Sequence, residues 1–130
     1  MEFLQPNGWK PAKGYANGVV TQGRMVFLGG QIGWNEEQQF ESDDFIDQFR
    51  QTLSNIIVLL AEAGGGPEHL VRLTWYITDR DAYLNSQKEM GAVYREVIGR
   101  HFPPMAVVQV VKLVEERALI EMEATAVLPN

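Results

Sequence analysis

The last third of the chain constrains the fold more than any other part. From His101 to Glu123 it reads HFPPMAVVQVVKLVEERALIEME. Ala106 to Val111 is apolar on both faces apart from Gln109, the pattern of a strand covered on two sides. Ala118 to Ala124 alternates instead. Ile120, Met122, Ala124 and Ala126 share one face, and Glu121, Glu123 and Thr125 the other. Two such runs around the polar Glu115-Glu116-Arg117 predict a β-hairpin. Ionised carboxylates are costly to bury unpaired, so Glu121 and Glu123 need something specific opposite them.

Upstream, Met1 to Gly14 reads as an irregular lead-in. Tyr15 to Val20 reads as a short strand, turning through Thr21-Gln22-Gly23-Arg24 into a return strand at Met25 to Leu28. Gly29-Gly30-Gln31-Ile32-Gly33-Trp34 follows, a backbone free to approach a ligand or another chain closely. Ser42, Asp43 and Asp44 supply N-cap chemistry for a helix. Its apolar stripe is Phe45, Phe49, Leu53, Ile56, Leu60 and Ala63, and Gly64-Gly65-Gly66-Pro67 stops it. Val71 to Thr78 alternates as a half-covered strand, with Val71, Leu73, Trp75 and Ile77 on one face. A second helix, capped by Asp79 or Asp81, carries Tyr83, Met90, Tyr94, Val97 and Ile98. Gly91 inside it costs about 1 kcal/mol against Ala, which predicts close packing there.

The fold class expected is α+β, in the order β-β-α-β-α-β-β, with a mixed sheet and both helices on one face. Nothing in the chain remains to cover the other face, so a second copy is expected to do so. With 130 residues the chain should form one domain over 1–130, burying roughly two-thirds of its unfolded surface.

Composition removes several functions. There is no cysteine, which excludes thiol catalysis, disulfides and thiolate metal sites and fits a cytoplasmic protein. A net charge of −6 with eleven scattered basic residues argues against a nucleic-acid surface. No apolar run reaches the ~20 residues of a membrane span, and MEFLQPNGWK does not read as a signal peptide. His69 and His101 lack metal-ligand spacing and read as exposed helix-terminal residues. The Gly64-Gly65-Gly66 run lacks the flanking strand and the Lys or Ser/Thr of a phosphate loop. Trp34, Trp75 and Tyr76 read as core or interface residues.

Over nearly its whole length the chain resembles the RidA family, also called YjgF/YER057c/UK114. The resemblance is carried by Tyr15 with Gly18-Val19, Gly29-Gly30-Gln31-Ile32, Gln48 to Asn55, Ala63-Gly64, Phe102-Pro103-Pro104, Leu113 and Ile120-Glu121-Met122-Glu123-Ala124. It implies a chorismate-mutase-like fold and a homotrimer packed through its sheet faces, with three intersubunit clefts. It also implies hydrolysis of reactive enamines or imines to a carbonyl compound and ammonia, without metal or organic cofactor. By the same resemblance Glu121 is the catalytic candidate, holding a water. Tyr15, Gly29, Gly30, Gln31, Met105, Ala106 and Val107 are the substrate-binding candidates. Typical members carry an Arg where this chain has Met105, a Ser at Gly29 and a Cys at Val107, and an Asn aligns best with Gly91. The missing Arg removes a charge-assisted clamp on a substrate carboxylate. The implied function is therefore an enamine or imine deaminase of altered specificity. The alternatives are a non-catalytic homotrimer binding a small molecule or a partner, and, third, an endoribonuclease or translation inhibitor. No membrane or nucleic-acid partner is expected.

Overall fold

The computed structural model describes all residues, Met1–Asn130. Its strands are β1 (Glu2–Phe3), β2 (Val19–Val20), β3 (Arg24–Ile32), β4 (Leu70–Ile77), β5 (Met105–Gln109) and β6 (Ile120–Leu128). Its helices are α1 (Phe45–Glu62), α2 (Arg80–Asn85) and α3 (Gln87–Val97), with a 3-10 turn at Pro67–His69. The protein is thus α+β with a mixed sheet, as expected, in the order β3-β6-β4-β5.

The terminal hairpin does not form. β6 lies between β3 and β4, antiparallel to both, and β5 pairs in parallel with β4. The connection spans residues 110–119, longer than the about two to five residues of a tight hairpin. Val111 and Val114, at 91% and 99% exposure, lie in it outside the sheet. Inserting β6 centrally gives its alternating residues a ladder on each edge and buries Ile120, Met122, Ala124, Ala126 and Leu128. The first hairpin is also revised. β2 pairs with β1, within the stretch expected to be irregular, and Ala16 bridges Pro104.

α1 follows its sequence signals closely. The Asp44 carboxylate accepts the Asp47 N–H at 3.0 Å. Phe49, Leu53, Ile56 and Leu60 are fully buried. At the other end Gly64, at φ +84°, donates to the Ala61 carbonyl while Gly65 donates to Leu60, a Schellman stop. The second predicted helix is broken at Ser86 into α2 and α3, and Asp79 caps α2 through the N–H groups of Asp81 and Ala82. In β4 a bulge between Leu70 and Arg72 replaces Val71 by Leu70 in the core, beside Leu73, Trp75 and Ile77.

α1 packs on α3, β3 and β6, and the core lies between these helices and one face of the sheet. The opposite face carries Met25, Phe27 and Val108, exposed by 59%, 71% and 44% in the single chain. Gln48, 1% exposed, ties α1 to the 110–119 connection. Its amide donates to the Ser42 and Arg117 carbonyls and accepts the Leu119 N–H. Asn55 donates to Ile32 and Trp34 beyond the end of β3. The polar residues of the Gln48 to Asn55 stretch thus hold the strand ends that carry the candidate site.

Candidate functional site

The site residues suggested by sequence fall into two groups on opposite faces of the sheet. The first group borders a cavity of about 490 Å³ on the helix side, between α3 and the β4–β5 edge. Tyr15, Met105 and Val107 line it with Phe49, Trp75, Tyr94 and Phe102. Met105 and Val107 sit beside Leu73 and Trp75 in the parallel ladder, so they share the core face of the sheet and pack partly against it. Ala106 pairs with Thr74 and belongs to the opposite face, away from Met105 and Val107.

Tyr15 is exposed by 46% at the cavity mouth and is not in a regular strand. Tyr94 is buried, stacks on Phe102 with ring centroids 5.2 Å apart, and donates its hydroxyl to the His101 carbonyl. Burial pushes its phenol pKa well above the usual tyrosine range. His101 is bonded to the Leu70 carbonyl at 2.7 Å, and His69 Nδ1 accepts the Gly66 N–H. Both histidines are therefore structural and part-buried rather than free at helix ends.

The second group lies on the far face. Gly29 and Gly30 form a bulge between Leu28 and Gln31 where β3 meets β6. Glu121 pairs with Ile32 on one side and with Tyr76 on the other. A Cβ at Gly30 would meet the carboxyl carbon of Glu121 at 2.8 Å, so the absent side chain makes room for this acid. Gln31 donates to the Gly29 carbonyl at 3.2 Å. Glu121 is half-buried in the single chain and makes no ion pair there. Glu123 is exposed and accepts the Tyr76 hydroxyl at 2.8 Å. That hydrogen bond, with the nearby negative charges, raises the Tyr76 pKa. The acid pair thus finds Tyr76 and a glycine bulge, rather than buried cations, as its surroundings.

Sequence reasoning missed Arg95, Lys13 and Trp75 as cavity residues. The spacing of Gly91 and Arg95, one helical turn apart, was the available signal. Gly91 does not mark close packing: it borders the cavity, and a Cβ there would meet only Arg95 Nη1, at 3.4 Å. No group of three or more His, Cys, Asp or Glu gathers as a metal set, and no helix is long and apolar enough to cross a membrane.

A fold of this kind has many counterparts among solved structures. The profile of the family described as Endoribonuclease L-PSP matches residues 6–128. A RutC family protein of Pyrococcus abyssi is 33% identical over 90% of this chain and 88% of its own length. A conserved Rid-family protein from Yersinia pestis, YyfB, superimposes with a TM-score of 0.84 at 28% identity, covering 98% of each chain. Escherichia coli TdcF, solved with bound serine, superimposes at 0.69 with 29% identity over 98% of each chain. The chain belongs to the RidA (YjgF/YER057c/UK114) family.

Proposed function

We propose that this protein is a cofactor-free enamine or imine deaminase working as a homotrimer, with residues 1–130 as one domain. The observation that carries this reading is the Glu121 carboxylate seated over the Gly30 bulge on a sheet face that no other part of the chain covers. The E. coli relative TdcF, 33% identical over 87% of this chain, supports it through its provisional name, reactive intermediate deaminase.

The division of the site between two faces supports assembly. One chain's Glu121, Gly29, Gly30 and Gln31 would meet a neighbour's Tyr15, Met105 and Val107 across an intersubunit cleft. The exposed Met25, Phe27 and Val108 would supply apolar contact for that packing. In the cleft a protonated imine is already electrophilic at carbon. As a water oxygen bonds to that carbon, Glu121 takes one water proton, giving a neutral carbinolamine. Glu121 returns the proton to the nitrogen, the C–N bond breaks and ammonia leaves. The hydroxyl proton departs to ammonia, giving a carbonyl compound and ammonium.

The test is ammonia release from enamines generated in situ from neutral, acidic and aromatic amino acids, together with mass in solution. Acceleration by a trimer, lost in Glu121→Gln with the trimer intact, is expected. Unchanged turnover in that variant would remove Glu121 from the mechanism, and a monomer would remove the cleft. Met105 favours a second reading, a ligand-binding trimer without turnover, because it supplies no charged clamp. Absence of acceleration across all three substrate classes would select that reading. The ribonuclease sense of the family description fits poorly with a net charge of −6.

A further inference from the structure

Resting on the reading of this cavity as the ligand-binding half of the site, we propose that its ligand is an aromatic monocarboxylic acid, or the imine of one. Arg95 on α3 is its carboxylate anchor, in a cavity where β5 offers the uncharged Met105. Four features converge on this chemistry.

The first is charge. Within its own chain the cavity is lined by two cations, Lys13 and Arg95, and by no carboxylate; the neighbour's Glu121 would face it from across the cleft. In a chain of net charge −6 this is a local reversal. The second is that Arg95 is free. The ion pairs of the chain are Arg50–Glu96, Arg117–Asp43 and His69–Glu68, so an incoming carboxylate need not displace an internal partner.

The third is Gly91. Its absent side chain lets the Arg95 guanidinium fold back along α3, with Nη1 3.4 Å from where a Cβ would stand. A fork of donors lies there against the cavity wall. The fourth is the apolar part of the lining, six of whose nine residues are aromatic, with Trp75 tilted on Phe49 and Tyr83 at centroid distances of 5.2 and 6.0 Å. An aromatic ring is the natural complement of such walls. Trp75 also carries the one buried side-chain polar atom without a hydrogen-bond partner, its Nε1. That atom is closed to solvent in the single chain, so it reports on the cavity wall without itself meeting the ligand. The volume, about 490 Å³, lies within the range of small-molecule sites.

The experiment is calorimetric titration of the assembled protein with phenylpropanoate, phenylpropanol and propanoate. None contains a C=N bond, so binding is read without turnover. Phenylpropanoate is expected to bind about 10- to 150-fold more tightly than the alcohol, the range of one charge-assisted hydrogen bond. Propanoate, lacking the ring, should bind at least about tenfold more weakly than phenylpropanoate. Arg95→Gln should bring the acid down to the level of the alcohol while leaving the alcohol unchanged. The indole N–H resonance of Trp75, assigned with Trp75→Phe, should shift on phenylpropanoate addition. Equal binding of acid and alcohol, an unaltered acid affinity in Arg95→Gln, or no binding at all would overturn the proposal. Ammonia release from small enamines without phenylpropanoate binding would sink this inference and leave the deaminase reading standing. Phenylpropanoate binding without any ammonia release would do the reverse.

Discussion

Gly30 and Glu121 occupy one space between them: the carboxyl group of Glu121 lies where a side chain at position 30 would project. Gly30→Ala should therefore move the acid without disturbing the backbone, because only the flexible end of Glu121 must yield. Stability should change by less than about 1 kcal/mol, while ammonia release falls as in Glu121→Gln. Thermal unfolding and the deaminase assay on the same preparation check this.

Gly33 offers the contrast. A Cβ there would meet Gln48 Cβ at 2.7 Å and Gln48 Cα and carbonyl oxygen at 2.8 Å. Backbone cannot swing aside, so Gly33→Ala should cost about 1–3 kcal/mol by forcing β3 and α1 apart. Urea unfolding of the two glycine variants side by side should separate them.

Gln48→Leu removes a buried amide that satisfies the Ser42 and Arg117 carbonyls and the Leu119 N–H. Each unsatisfied group costs about 1–3 kcal/mol when it stays buried. A net loss of about 2–4 kcal/mol is expected, with faster amide exchange at Leu119 as the local signature.

Tyr94 sets an alkaline limit. Its folded-state pKa is raised by burial above the ordinary value of about 10. The neutral phenol therefore contributes stability that is complete below about pH 10 and is lost as the pH climbs towards the folded-state pKa. Tyr94→Phe should lower stability at neutral pH by about 0.5–1.5 kcal/mol, for the lost bond to His101, and flatten the decline above pH 10. Denaturant midpoints measured across the alkaline range test both.

Met105→Arg should supply a charged clamp for small imino acids. A gain in their hydrolysis towards the lower end of about 10- to 150-fold is expected, because Lys13 and Arg95 line the same cavity and repel a third cation. Ammonia release from alanine-derived against phenylalanine-derived enamines measures the change in preference.

The elements and their faces were legible along the chain wherever the cause is local. The α1 stripe, the Asp44 cap and the Gly64 stop depend on neighbours a few residues apart, and the structure reproduces them. The alternation of β6 correctly placed Ile120 and Met122 in the core and Glu121 on the other side. Strand partners were not legible. A period of two says which face a residue occupies but not which strand lies beside it, and β4 intervenes where a hairpin was expected. For the same reason the candidate site was found as residues but not as an arrangement. Met105 and Glu121 stand on opposite faces because they pair with Leu73 and Tyr76, which point to opposite sides of β4, and that register is set by long-range burial rather than by sequence spacing. The position of Arg95 over Gly91 was decided in the same way: α3 must first dock on the sheet before its glycine has a cavity to border.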